Sequence, residues 1–183
     1  MSDATRLLLI PGSLRRDSTN AAALRTVVSL APESMDVTLY EGMATLPAFN
    51  PDFDSDPLPA PVLELRNLLI ANDALLLSTP EYAGGLPGSF KNLLDWTVGD
   101  DRPGSIYRKP VAWANVSSRG AVHAHDSLRR VLGYVGAVIV EDACVEEPVT
   151  GAMVGPGGLV DDPAVVRELA RSLTSLAAAT RAA

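Results

Sequence analysis

The chain has 183 residues, of which 47% are hydrophobic and 20% charged, the length of one domain with enough apolar side chain for a sizeable core. Its net charge of −7 and isoelectric point near 4.7 argue against nucleic acid and against anionic membrane surfaces as partners, because both need a basic face. The one cysteine, Cys144, forms no internal disulfide and reads as a small residue beside a buried strand. The apolar run near the start spans only Leu7 to Ile10 before Pro11-Gly12, too short for a signal peptide, and no stretch reaches the roughly 18 apolar residues of a membrane helix. A soluble, cytoplasmic protein is expected.

Arg6 to Ile10 is nearly continuously apolar, as in a strand buried on both faces. The segment 13–20 is polar and rich in helix-capping residues, and Leu24, Val27, Val28 and Ala31 then share a helical face that Pro32 ends. Met35 to Tyr40 alternates like a half-buried strand. Residues 41–61 are acidic, hold five prolines and read as a loop; Val62, Leu65, Leu68 and Leu69 then mark a helix. Ala74 to Ser78 is a third strand, and Pro87 opens a helix with Phe90, Leu93 and Leu94 facing inward. Val111 to Val116 is a fourth strand, Leu128, Val131, Leu132 and Val135 a helix, and Ala137 to Val140 the last strand. Residues 147–158 read as a loop, and Val166, Leu169, Leu173 and Leu176 as the closing helical stripe. Strands alternating with helices predict a single α/β domain over 1–183. Its expected form is a flavodoxin-like three-layer sandwich with a five-stranded parallel sheet of order 2-1-3-4-5.

Such sheets bind ligands beyond the carboxyl ends of their strands, which singles out loops 11–20, 79–88 and 117–122. The first lies between a strand and a helix start, where free backbone amides and the helix dipole attract phosphate. Ser13, Ser18, Thr19 and Asn20 add donors there, and Arg15 adds a planar cation suited to paired phosphate oxygens. Neither GxxxxGK[ST] nor GxGxxG is present, which disfavours an NTPase and the usual dinucleotide fingerprint. An ordinary N-capped turn has the same composition. In the second loop, Gly84, Gly85 and Gly88 allow close backbone approach to a flat ligand, and Tyr82 is placed to lie against a ring. Any turn can carry Pro-Glu-Tyr, and Trp96 is equally a core residue.

Taken together, GSLRRDSTN and PEYAGGLPGSFKNLLDW resemble the NAD(P)H-dependent FMN reductases, a family that includes bacterial quinone, azo-dye and chromate reductases. The match in element order extends along nearly the whole chain, and the second motif is the more specific. The resemblance implies that Ser13, Arg15, Ser18 and Asn20, with Thr19 beside them, hold the FMN phosphate. It places Pro80, Glu81, Tyr82 and Ala83 along the isoalloxazine, and Ser117, Ser118 and Gly120 near its pyrimidine end. It puts Lys91, Asn92, Asp95 and Trp96 on a helix that shapes the site and helps form a homodimer or homotetramer. Two departures stand out: Ala83 occupies a position where many members carry Asn, and the third loop is poorer in glycine than usual, with Arg119 in it.

The resemblance further implies NADPH or NADH as co-substrate and a quinone, flavin or similar small molecule as acceptor. The two would alternate at one open face with ping-pong kinetics. No catalytic side chain is required, and backbone amides near 117–120 are candidates to stabilise negative charge on the reduced flavin. Arg102 and Arg108 are candidates for a nicotinamide phosphate contact. His123 and His125 lie two apart and share no helix face, so no metal site is expected. Glu146 and Glu147 read as a solvated pair. Two alternatives remain: a flavodoxin-type electron carrier without reductase activity, and a flavin-free module on the same fold.

Overall fold

The computed structural model describes residues 4–182. Seven residues, Thr5–Pro11, form β1 inside the sheet, and β2 (Met35–Leu39) and β3 (Ala74–Ser78) pair with it in parallel on either side. Beyond β3 come β4 (Pro110–Asn115) and β5 (Val138–Ile139), giving the expected order 2-1-3-4-5. The crossovers are α1 (Thr19–Leu30), α2 (Ala60–Ala71), α3 (Gly88–Val98) and α4 (Val122–Tyr134). The long helix α5 (Pro163–Ala182) follows the last strand.

Because successive strand side chains point to opposite faces, the central strands divide between two cores. Leu8, Ile10, Leu75, Leu77, Val111 and Trp113 pack with α2, α3 and α4. Leu7, Leu9, Leu76, Ala112 and Ala114 pack with α1 and α5. Burial on both faces explains why β1 and β3 read as unbroken apolar runs.

The last strand departs from the expectation of one segment over 137–140. After Val138–Ile139 the chain makes a single 3-10 turn, Glu141–Ala143, and then rejoins β4 as β6, Val145–Glu146, opposite Ala114–Asn115. Such an interruption twists an edge strand out of reach of further pairing. Helix α5 clamps it: Ser172 Oγ and Arg171 Nη1 donate to the Ala143 and Asp142 carbonyls, and Arg171 Nη2 to that of Cys144 at 3.1 Å. Cys144 is half-buried here, and burial pushes its thiol up to about 11, so it stays protonated and unreactive at neutral pH. In α5 the buried position is Val165 rather than Val166, and Val28 of α1 is exposed.

The proline-rich segment 41–61 is held down at several points. Asn92 of α3 accepts from the Phe49 amide at 2.7 Å and donates to the Pro47 carbonyl at 2.9 Å, and the Trp96 indole donates to that same carbonyl at 2.9 Å. Phe49 meets Trp96 edge-on, with ring centroids 4.9 Å apart. Asn92 and Trp96 thus serve this segment. Arg66 of α2, buried, donates to the Trp96 carbonyl at 2.9 Å and to Asp54 Oδ1 at 2.7 Å. Removing Arg66 strands a largely buried carboxylate, so Arg66→Ala is expected to lower the unfolding free energy by about 3 kcal/mol, measured by urea denaturation.

Candidate active site

At the carboxyl edge of the sheet, a cavity of about 660 Å³ opens between the loops after β1, β3 and β4. Ser13, Arg15, Ser18, Thr19, Asn20, Pro80, Glu81, Tyr82, Ala83, Ser117 and Ser118 line it together. Of the expected residues only Gly120 is not in the wall. Its amide donates to the Ser117 carbonyl at 3.1 Å, and its own carbonyl accepts from Asn115 at 2.7 Å, so it shapes the loop instead.

Loop one leaves β1 through Gly12, whose amide donates to the Ser78 carbonyl at 2.7 Å. A Cβ at Gly12 would stand 2.7 Å from Thr79 Oγ1 and 3.0 Å from Phe90 Cδ1, so this close crossing requires glycine. Ser18 caps α1 by accepting from the Ala21 amide at 3.3 Å, and its hydroxyl proton remains available to an anion. Helix geometry leaves the Thr19 and Asn20 amides without intrahelical acceptors. Asn20 Oδ1 lies 3.0 Å from Ser78 Oγ, whose single proton is shared with the Ala114 carbonyl at 2.7 Å. The Arg15 guanidinium is exposed and makes no ion pair or hydrogen bond among the described residues. Free amides, a helix dipole, a hydroxyl and an unpaired guanidinium make an anion site that fits a phosphate.

Loop two turns back on itself at Tyr82–Gly85, whose end residues exchange hydrogen bonds of 3.0 and 3.1 Å. Its two central residues are left-handed, Ala83 at φ +50° and Gly84 at φ +74°, the signature of a type I′ turn. That conformation favours Asn and Gly, so the family's Asn at position 83 has a backbone reason in addition to any polar contact. Nothing lies within 4 Å of a Cβ built at Gly84, Gly85 or Gly88; the space over this turn is open to a flat ligand. The Tyr82 hydroxyl lies 3.4 Å from Ser13 Oγ, closing loop two onto loop one.

Glu81 does not reach into the cavity alone. Its carboxylate accepts from the Ala124 amide at 3.1 Å and caps α4, whose own N-cap, Ala121, has no polar side chain. Loop three is tied by Asn115, which accepts from the Ser117 amide at 3.2 Å as well as donating to Gly120. The Arg119 amide donates to Ser117 Oγ at 3.3 Å. Across 117–120, three of the four backbone amides are therefore engaged within the loop, and Ser118 alone keeps a free one. The expectation that this stretch offers several amides to the reduced flavin narrows to that single group.

A fourth wall escaped the sequence reading: Val149, Thr150 and Gly151, after β6, also line the cavity. The Val149 amide bonds the Val116 carbonyl at 2.9 Å, which carries this segment alongside loop three. Its place after the last strand was the available signal. Arg102 and Arg108 lie elsewhere. Arg102 is locked onto Asp100 at 2.7 Å, and Arg108 lines a cavity with Arg6 and Lys109 at the opposite edge of the sheet.

The two histidines diverge. His123 is exposed, whereas His125 is buried, with Nδ1 2.9 Å from the Ala121 carbonyl and Nε2 without a partner. Burial lowers the His125 pKa, against the opposing pull of the Ala121 carbonyl and nearby carboxylates including Glu81 and Glu146. Among the described residues no three His, Cys, Asp or Glu side chains are grouped to hold a metal ion.

Fold and site together define an α/β protein with a donor-rich cavity, suited to an anion, at the switch point of a parallel sheet. Residues 5–148 match the family described as NADPH-dependent FMN reductase. The chain is 34% identical over 136 residues, 74% of its length and 73% of the relative's, to an NAD(P)H-dependent FMN reductase of Pseudomonas aeruginosa. It is 31% identical to a quinone reductase of Escherichia coli K12 over 76% of each chain. The structure superposes on FerB, a flavoenzyme NAD(P)H:acceptor oxidoreductase of Paracoccus denitrificans, with a TM-score of 0.83 at 27% identity, over 97% of this chain and 98% of that one. The chain belongs to the NADPH-dependent FMN reductase family and is an FMN- and NAD(P)H-dependent oxidoreductase. No helix among its described residues is long and apolar enough to cross a membrane.

The left-handed Ala83 predicts that Ala83→Asn stabilises the fold by about 1 kcal/mol, read in calorimetry as a rise in Tm of about 2–4 °C. For His125, the folded pKa lies below the ordinary 6.5 of the unfolded chain, so the unfolded state binds the extra proton as the pH falls. Stability is expected to decline as the pH drops below 6.5. Urea unfolding at about pH 7.5 and about pH 5 should show this difference, and His125→Gln should shrink it.

Proposed function

We propose that residues 1–183 act as one FMN-binding domain that passes electrons from NADPH or NADH to a quinone, a flavin or a similar small acceptor. The observation that carries this reading is the convergence, on one cavity, of the expected residues of all three loops, Gly120 excepted. Ser13, Arg15, Ser18, Thr19 and Asn20 would hold the FMN phosphate, where unused donors and an unpaired cation converge. Pro80, Glu81, Tyr82 and Ala83 would flank the ring, with the glycine turn keeping one side open, and Ser117 and Ser118 would border its far end. Bound FMN supplies the hydride chemistry between a reduced nicotinamide and an acceptor. The chain contributes the pocket that orients both ligands in turn, and no side chain in the wall is required as an acid or base.

Membership of a reductase family favours this over a pure electron carrier. Leu14, Tyr82 and Val122, apolar and exposed on or beside the loops of the cavity, support a further surface for a second copy and hence a homodimer or homotetramer. A cytoplasmic location belongs to the same reading.

The test is an absorbance experiment. Purified protein mixed with FMN should show a perturbed flavin spectrum, NADPH should bleach it, and a benzoquinone should restore it. Steady-state rates should give parallel double-reciprocal lines. Bleaching that depends on quinone being present would overturn the alternating scheme, and failure to take up FMN would overturn the whole reading.

A further inference from the structure

We propose that Arg119 is the phosphate anchor for the nicotinamide dinucleotide, a subsite separate from the FMN phosphate site; this rests on the FMN reading given above. Arg119 lines the cavity, is exposed, and makes no side-chain hydrogen bond or ion pair among the described residues. Arg6, Arg66, Arg102, Arg129 and Arg171 are each paired with a carboxylate, and Arg16, Arg108, Arg130 and Arg167, which like Arg119 have no ion pair among the described residues, stand outside this cavity's wall. Its backbone, in contrast, is fixed. Asn115, buried, bonds both ends of the turn, and the Arg119 amide is held by Ser117 Oγ at 3.3 Å. The loop presents a free cation from a braced base.

Position separates this cation from Arg15. Loop one follows β1 and loop three follows β4, with β3 between them, so their bases stand two strand spacings apart, about 10 Å. Chemistry separates them too. Around Arg15, free helix amides, Ser18 and Asn20 complete a multidentate set suited to a resident phosphate. Around Arg119 the neighbouring helix start, that of α4, is already neutralised by Glu81. A single exposed guanidinium grips phosphate oxygens in a bidentate pair and releases them readily, which suits a co-substrate that leaves in every cycle. An uncharged quinone gains nothing from it. Both dinucleotides carry a pyrophosphate, and NADPH carries a 2′-phosphate as well.

The experiment compares FMN-loaded wild type with Arg119→Ala and Arg119→Lys. KM for the dinucleotide should rise about tenfold in Arg119→Ala, the loss of a charged hydrogen-bonded pair, and be partly restored in Arg119→Lys, while KM for benzoquinone holds. A rise for NADPH alone, with weakened calorimetric binding of adenosine 2′,5′-bisphosphate, assigns the 2′-phosphate. A rise for NADPH and NADH together, with weakened binding of ADP, assigns the pyrophosphate. Unchanged dinucleotide KM values, or a shift in FMN affinity in their place, overturn the proposal and leave the functional reading intact. A wild type that oxidises neither dinucleotide overturns that reading instead, and the calorimetric comparison then decides Arg119 by itself.

Discussion

Ser78, at the carboxyl end of β3, is the point on which the site depends. Its carbonyl accepts from the Gly12 amide at 2.7 Å. Its hydroxyl reaches Asn20 Oδ1 at 3.0 Å and the Ala114 carbonyl at 2.7 Å. All of this is buried, so each bond is protected from water and costly to leave unmade. One residue thereby fixes, through its carbonyl, where the first loop leaves the sheet and, through its hydroxyl, where α1 begins and how β3 and β4 end side by side. The anion site of α1 and the glycine turn of loop two are placed relative to one another through it.

The fold was legible because its strands are buried on both faces. Leu7 to Ile10 and Ala74 to Leu77 admit no polar residue, and such runs between helical stripes leave few alternatives to a parallel sheet. The edge was less legible. Residues 137–146 are partly solvated, so hydrophobic pattern does not specify their register, and the interruption at Glu141–Ala143 is decided by what α5 offers across the gap. The site divides in the same way. Residue types announced loop one and loop two, because phosphate and flat rings demand particular donors and glycines. Ser78, Asn115 and Gly12 were not announced, because they act through contacts between segments far apart in sequence.

Two residues carry a meaning in space that differs from their meaning in sequence. Ala83 registers in sequence as a lost polar contact; in space it is a residue held at φ +50°, where its methyl group is a conformational cost and Asn is not. Glu81 registers as a flavin-side residue; in space its carboxylate replaces the side chain that Ala121 lacks at the start of α4. Through Glu81 and Asn115, loops two and three are joined to each other and to the sheet, so the altered third loop is braced rather than loose.

Electrostatics completes the picture. An acidic protein repels an anionic cofactor and an anionic co-substrate at long range, so affinity has to come from short-range groups that screening does not remove. Arg15 and Arg119, neither of them paired with a carboxylate, both stand in the cavity wall and supply short-range attraction there. The two differ in company, one among helix amides and capping hydroxyls, the other alone on a braced turn. In the reading proposed above, that difference in the number of donors lets the FMN phosphate stay through many turnovers while the dinucleotide comes and goes.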